Sequence, residues 1–272
     1  MFKFFRKIRF ALIEKNKTGS STEASAKAGK YLKYAIGEIV LVVIGILIAL
    51  SLNNWKEDLA DRGEETRILG GLKQEFEVNL AEVSRNIKLN TSTRISTIAL
   101  IQLIHTDDPF ANQRYLDSLL NEVYMFGSFD AQTGLVNEVI SSGKLSIIKD
   151  TELRSRLTGV SGLLDNLEED YIIRNDYYYN HIIPYLSKYV SIINQDKFMD
   201  FSGWSETYES SKLDDSPLKQ KYMEIDLLQF ENLFAIHKVN NDFVNLDEYD
   251  LKEFFTQTLE IINKNLETDK HN

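Results

Sequence analysis

The stretch Tyr34 to Leu52, YAIGEIVLVVIGILIALSL, limits the fold of this chain more than any other part. An α-helix rises about 1.5 Å per residue, so a helix of this length spans close to the roughly 30 Å hydrocarbon core of a bilayer. Side chains that favour the headgroup region flank the stretch at both ends, namely Tyr31, Tyr34, Asn53, Asn54 and Trp55. The pattern predicts a membrane-spanning helix over residues 34–52.

Charge predicts the orientation of this helix. Residues 1–33 contain nine Lys or Arg and two acidic residues, whereas residues 53–272 carry a formal net charge of −16. Because a short basic flank is retained in the cytoplasm, we expect a cytoplasmic N-terminus, with residues 53–272 outside the cytoplasm. A cleaved signal peptide is the alternative, since Ala49-Leu50-Ser51 resembles a cleavage site. The 33 residues before the apolar stretch and the acid Glu38 at its start argue against cleavage.

The segment before the span divides into two parts. Residues 1–14, MFKFFRKIRFALIE, mix Phe and Ile with Lys and Arg, which is typical of a short amphipathic helix lying in an anionic membrane interface. Residues 15–33 are mostly small and polar, so they predict a flexible cytoplasmic tether.

One stripe of the span carries unusual residues. Glu38, Val42, Gly45 and Ala49 recur at spacings of four, three and four, and small residues four apart let two helix backbones approach closely. One interpretation is a helix contact with a second copy or with a membrane-protein partner. In the other, Glu38 reaches back to the cytoplasmic headgroups beside Lys33 and the small residues have no role.

Apolar residues after the span recur with a helical period. From Leu69 to Ile87 the mean spacing is 3.6 residues, which predicts an amphipathic helix from about Lys56 to His105, with a bend near Gly63, Gly70 and Gly71. We find no alternating strand pattern. The fold class predicted is all-α, with one N-terminal transmembrane helix followed by an antiparallel helical-bundle ectodomain.

Capping residues and proline divide the rest of this domain into further helices. A helix over Ala111–Phe126 precedes one from Asp130 to Ser142, which Gly143 ends in a left-handed conformation. Asp150 caps a long helix that reaches about Ile193 and is interrupted near Ile183 by Pro184. The last two helices are predicted to start at Ser216-Pro217 and at the capping box Asn245-xxx-Glu248, the second running to about Leu266.

Sequence motifs for catalysis or cofactor binding are missing. The four histidines are isolated, cysteine is absent, and no phosphate-binding or dinucleotide-binding loop occurs. We therefore predict no catalytic residue, metal or cofactor, and the negative charge argues against nucleic acid as a partner.

Two aromatic groups are candidate contacts for a ligand or partner. Tyr177, Tyr178 and Tyr179 are consecutive, so on a helix they point in different directions, and Trp204 lies in an aromatic stretch over residues 198–208. The alternative is that the tyrosines form core and rim of the bundle, and that the aromatic stretch folds over its end.

The N-terminal region resembles a known family. FFRKIR, followed by KYLKYAIGEIVLVVIGILIALSLNNW, is similar to the start of bacterial single-pass membrane proteins classified as a domain of unknown function in Gram-negative bacteria. The resemblance is strong over residues 1–57 and weaker at SSGKLSIIKDTELRSRL, Ser141 to Leu157, and residues 18–29 look inserted. The resemblance implies a single-pass protein of the bacterial inner membrane, with a cytoplasmic N-terminus and a periplasmic domain over residues 53–272. It implies no activity.

Three functions are consistent with these features. The first is a non-enzymatic binding, sensing or scaffold protein of the cell envelope, anchored in the bilayer and assembling through its span. The second is an accessory subunit of a membrane transporter or envelope complex, contacted through Glu38. The third is a periplasmic enzyme that uses carboxylates of the bundle.

The charge distribution generates a test of topology. Alkaline phosphatase fused after Asn272 should be active, because it folds only in the periplasm and the basic flank keeps the N-terminus inside. A cytoplasm-specific reporter at the same position is the matched control, and its activity there would reverse the predicted orientation.

Overall fold

The computed structural model describes the backbone of residues 22–201 and 212–270 and the side chains of residues 34–201 and 212–268. The chain divides into two compact units, residues 1–62 and 63–272. The amphipathic segment predicted over residues 1–14 lies outside the described residues, as do residues 15–21 of the predicted tether.

Helix α1, Thr22–Ile104, contains the apolar stretch. Among the described residues it is the one helix long and apolar enough to cross a membrane, with a mean hydropathy of 2.7 over its most apolar window and no residue of that window buried. The backbone of residues 22–33 is helical where the sequence analysis expects a tether. Three alanines favour helix there, and the adjoining helix removes the cost of nucleation.

Six further α-helices follow in the described part of the chain. They are α2 Gln113–Tyr124, α3 Gly134–Ser141, α4 Thr151–Tyr177, α5 Ile183–Leu186, α6 Ile193–Asp196 and α7 Leu227–Lys270. Short 3₁₀ segments lie at Lys144–Ser146 and Tyr222–Glu224. The described ranges contain no strand, which confirms the all-α prediction.

Local signals place several of these ends correctly. The N–H of Leu153 donates to the Asp150 side chain at 2.9 Å, and Gly143 adopts a φ of +75°. The long helix is interrupted before Pro184, as predicted, by a π-helical segment, Tyr178–Ile182. This wider turn accommodates a proline, which has no N–H to donate to the preceding turn.

Three predicted helix starts are wrong, and tertiary contacts explain two of them. Helix α3 starts at Gly134 and not after Asp130, because Glu75 of α1 accepts hydrogen bonds from the N–H groups of Leu135 at 2.7 Å and Val136 at 3.2 Å. No helix starts at Ser216-Pro217, because the backbone of residues 216–221 is not helical. There the N–H of Lys221 donates to the carbonyl of Tyr189 at 2.7 Å instead of continuing a helix.

The third wrong start is the capping box. Asn245 and Glu248 lie in the interior of α7, and both side chains are buried. Helix α7 begins instead after Asp226, whose side chain accepts a hydrogen bond from the N–H of Gln229 at 3.0 Å.

Side-chain pairs define how the three long helices run. As the residue number increases along α4, the number of its hydrogen-bonded partner on α7 decreases, in the pairs Asp150–Asn265, Arg156–Gln257 and Asn166–Asp247. Positions along α1 and α7 show the same reversal, in the pairs Asn90–Glu248 and His105–Glu231. Helix α7 therefore runs opposite to both α4 and α1.

Two apolar clusters form the core of residues 63–272. The first cluster contains Phe76, Leu157, Leu251 and Phe255 among others. The second contains Leu100, Leu120, Tyr178, Phe230 and Phe234 among others. Helices α1 and α7 contribute buried residues to both clusters, and α4 contributes to the first cluster while its last residue, Tyr177, packs against the second. The residues between the clusters on these helices therefore occupy the middle of the domain.

The adjacent glycines Gly70 and Gly71 of α1 provide a matched stability test. A methyl group added at Gly70 meets no atom within 4 Å, whereas one at Gly71 comes within 2.5 Å of Leu135 Cδ2. We expect Gly70→Ala to raise the free energy of unfolding by about 0.5–1 kcal/mol, because alanine favours helix.

The free energy of unfolding should rise less in Gly71→Ala, because the added methyl group has to displace the side chain of Leu135. The measurement is urea unfolding of the full chain in detergent, followed by circular dichroism. An equal rise in the free energy of unfolding of the two variants would contradict the tight contact at Gly71.

Candidate functional site

A layer of polar side chains separates the two apolar clusters. Its members come from all three long helices and are 7% exposed or less: Asn86, Asn90, Thr93, Thr97, Tyr171, Arg174, His237, Asn241, Asn245 and Glu248. We call this set the polar layer. On each helix these residues continue the spacing of the neighbouring apolar residues, so the helices direct them inward.

Arg174 lies at the centre of the polar layer and is fully buried. Its Nη1 donates to the side-chain oxygens of Asn90 at 3.0 Å and Asn241 at 3.1 Å, and its Nη2 donates to the carbonyl of Gly127 at 2.8 Å. One guanidinium therefore joins α1, α4, α7 and the segment that follows α2.

Aromatic rings cover the same guanidinium. Its carbon lies 4.4 Å from the ring centre of Phe126 and 5.1 Å from that of Tyr171. Burial lowers the pKa of Arg174 to about 10, and the negative charge of Glu248 opposes this effect. The side chain thus stays charged near neutral pH, where the ring faces stabilise it.

Glu248 supplies the acceptor on the other side of the layer. Its Oε1 accepts hydrogen bonds from the hydroxyl of Tyr171 at 2.7 Å and from Nδ2 of Asn90 at 2.8 Å. Its Oε2 has no hydrogen-bond partner among the described residues. Burial raises the pKa of Glu248, and the bonds from Asn90 and Tyr171 and the charge of Arg174 partly offset that rise.

His237 of α7 lies at the edge of the polar layer, beside the second apolar cluster. Its ring centre is 5.4 Å from that of Tyr178 and 5.8 Å from that of Phe126. Burial, and to a smaller extent the charge of Arg174, lower the pKa of His237 to about 3. The imidazole is therefore neutral at physiological pH and fills space between aromatic rings.

The polar layer is enclosed, which defines what it can do. Its carboxylate and guanidinium are fully buried, and apolar clusters lie on both sides. Among the described residues no group of three His, Cys, Asp or Glu could hold a metal ion. The arrangement holds three helices in one register, and it presents no charged group to a molecule outside the domain.

The outer surface of α7 carries exposed apolar side chains. Their exposed fractions are 68% for Leu228, 47% for Ile236, 47% for Val239, 55% for Phe243 and 56% for Leu246. We call these five residues, together with Ile173 of α4, which is 47% exposed, the apolar strip. After Tyr249 the outer surface of α7 becomes polar, and its exposed residues there include Glu253, Thr256 and Glu260.

A surface pocket of about 390 Å³ lies at one end of the apolar strip. Tyr177, Asp226, Leu228, Gln229, Asn232, Leu233 and Ile236 line it. It combines an apolar floor with a phenol, a carboxylate and two amides, which fits an amphipathic side chain of a partner better than a charged ligand.

The three consecutive tyrosines take different positions. Tyr177 is half-buried and lines this pocket, Tyr178 is buried in the second apolar cluster, and Tyr179 is 51% exposed. A contact with a ligand or partner stays a prediction for Tyr177 and Tyr179. Trp204 lies outside the described residues.

The predicted residues of the span are exposed along α1. Glu38, Val42, Gly45 and Ala49 all face outward, and no described atom lies within 4 Å of a methyl group added at Gly45. Tyr34 and Trp55 are each 62% exposed, and the side chain of Tyr31 lies outside the described residues. The association stripe and the interface anchors stay predictions.

The sequence reasoning missed the polar layer, although a signal for it exists. Arg174 lies three residues after Tyr171 and four before Tyr178, which is the spacing of a buried stripe. Polar residues likewise take core spacing on α1 at 86, 90, 93 and 97, and on α7 at 237, 241, 245 and 248. Polar residues in register on three helices predict a buried polar layer.

The raised pKa of Glu248 generates a pH-dependent test. Its folded pKa lies above the unfolded value of about 4.5, so its contribution to stability is fully present below that pH and is lost as pH rises through the folded pKa. Glu248→Gln stays neutral and still accepts the two hydrogen bonds. The variant should therefore become more stable relative to the native chain as pH rises from about 4.5 to about 8.

The measurement is the free energy of urea unfolding of both full chains across this pH range. Glu248→Leu is the comparison, and it should lose about 3 kcal/mol because the donors on Asn90 and Tyr171 are left buried without an acceptor. A pH-independent difference between Glu248→Gln and the native chain would show that Glu248 does not titrate as a buried group.

Comparison with known proteins found a match to one family model. That model is described as a family of unknown function, DUF6090, and it covers residues 38–201, which include the apolar stretch from Glu38 onward, Asn90 and Arg174 but not α7. Neither the curated proteins nor the solved structures gave a match. Because the family model covers more than half of the chain, the protein belongs to the family of unknown function DUF6090.

Proposed function

We propose that this protein is a non-enzymatic, membrane-anchored binding or scaffold module of the bacterial cell envelope. Its N-terminus lies in the cytoplasm, its span lies in the inner membrane, and residues 53–272 form an antiparallel helical bundle in the periplasm. The bundle binds a protein partner through the apolar strip.

The observation that carries this proposal is the extent of the apolar strip. Six large apolar side chains that are each half exposed or nearly so present on the order of 600 Å², the upper end of the largest apolar patches on monomeric proteins. Such a surface in water favours association, because each contact removes apolar area from solvent. The pocket beside Tyr177 extends it toward a half-buried aromatic ring.

The burial of the polar layer supports a binding role over an enzymatic one. Catalysis needs a carboxylate or a base within hydrogen-bond reach of a substrate. Arg174, Glu248 and His237 are 0% exposed and are surrounded by helices. The hydrogen bonds of Arg174 and Glu248 join the helices, which supports a role in stability and helix alignment.

The span offers a second contact. Glu38, Gly45 and Ala49 lie on one stripe of a helix that no described residue covers. A protein that assembles there with a membrane-protein partner would serve as an accessory subunit of a transporter or envelope complex. This second candidate function uses the membrane helix, and the first uses the bundle.

A photoreactive phenylalanine analogue placed at Phe243 tests the binding role. In native membranes, irradiation should couple the full chain to a protein, since Phe243 is 55% exposed within the apolar strip. The same analogue at Glu253, further along α7, is the matched control and should give little product. Equal coupling at both positions, or none at Phe243, would refute binding through the strip.

A further inference from the structure

We infer that the partner of the apolar strip is a second copy of this chain, with the two α7 helices packed in parallel. This inference rests on the proposed function, and it names the occupant of the same surface. The proposed dimer differs from association through the span, because residues 228–246 of α7 join the two copies.

The spacing along the strip fits pairing of α7 with an identical helix. Ile236, Val239, Phe243 and Leu246 follow one another at intervals of three, four and three residues. This is the alternation of the a and d positions of a coiled coil, in which side chains of one helix fill holes between side chains of the other. An identical helix presents the matching holes at the same positions.

The size of the surface also fits a dimer. The strip presents about 600 Å² per copy, and a stable interface buries about 800 Å² per partner when its polar rim is included. Asn240 and Asp242 lie beside the strip and are partly exposed, so they supply rim residues next to the apolar centre.

The charges on the two flanks favour the parallel arrangement. On the flank toward α1, Arg94 and Lys238 contact Asp242 at 2.8 Å and 2.5 Å, and Glu231 adds a second carboxylate beside His105, so the charges on this flank balance. On the flank toward α4, Asp247 lies beside Asp170, where burial and then the charge of Asp247 raise the pKa of Asp170, so two carboxylates make this flank acidic.

Two-fold symmetry decides which flanks meet. In a parallel pair the axis runs along the helices, so the flank toward α1 of one copy faces the flank toward α4 of the other. In an antiparallel pair each flank faces its own counterpart. In the antiparallel pair the two acidic flanks toward α4 would therefore repel each other, whereas in the parallel pair each acidic flank meets the balanced flank toward α1.

The membrane anchor reinforces association of copies. Each copy carries the apolar stretch in α1, so copies in one bilayer are held in a shared plane and share one orientation. Tethering of this kind raises the effective concentration of one strip near another without any new contact. A weak pairing of strips is then sufficient to form a dimer.

Cysteine crosslinking of the full chain in membranes tests the inference, since the native chain contains no cysteine. In a parallel pair like positions meet, so Ile236→Cys, Val239→Cys, Phe243→Cys and Leu246→Cys should each give a product of twice the chain mass under mild oxidation. Glu253→Cys is the control for random collision and should give little. Adding Phe243→Glu to Leu246→Cys should lower the yield by about tenfold, because a carboxylate enters the apolar seam.

Each alternative outcome separates the inference from the function on which it rests. Crosslinks that form only between mixed Val239→Cys and Phe243→Cys chains would show antiparallel pairing and overturn the parallel dimer. A photoproduct of the analogue at Phe243 with a different protein, without self-crosslinks, would overturn the dimer and leave the binding role intact. The absence of both products would overturn the two together.

Discussion

The buried guanidinium of Arg174 is the interaction on which the arrangement of the helical domain depends. It donates to Asn90 of α1, to Asn241 of α7 and to the carbonyl of Gly127, all within 3.1 Å. Burying a charge costs several kcal/mol before any partner is found, and apolar side chains of similar volume often stabilise a core equally well. Arg174 therefore contributes chiefly to helix alignment, because only one alignment of the three helices satisfies these hydrogen bonds.

Long helices that pack against one another need specific polar contacts of this kind to fix their register. The apolar residues of α1 and α7 recur at nearly constant spacing, so a slip of one helical turn would still bury most of them. The slip would separate Arg174 from its acceptors and Glu248 from Tyr171, leaving charged groups buried without partners. A single polar position in a coiled-coil core specifies register in the same way.

Helix α7 has two faces with different roles. Its inner face contributes Phe234, His237, Asn241 and Glu248 to the core and the polar layer, whereas its outer face carries the apolar strip. Beyond Tyr249 the outer face turns polar, so the exposed apolar side chains lie in the N-terminal half of the helix. The inner contacts hold the outer side chains in a fixed arrangement, which would lower the entropic cost of the proposed binding.

Features that depend on local chemistry could be predicted from the sequence. The apolar stretch in α1, the helical period, the cap at Asp150, the turn at Gly143 and the interruption before Pro184 each follow from residues within one or two turns. Tertiary structure decided the rest, because one side chain has several possible partners. Asn245 and Glu248 have the spacing of a capping box, yet packing against Asn90 and Tyr171 buries them in mid-helix. Likewise, Glu75 caps α3 from a distant helix, and Arg174 is stable inside the core only because folding brings Asn90, Asn241 and Gly127 to it.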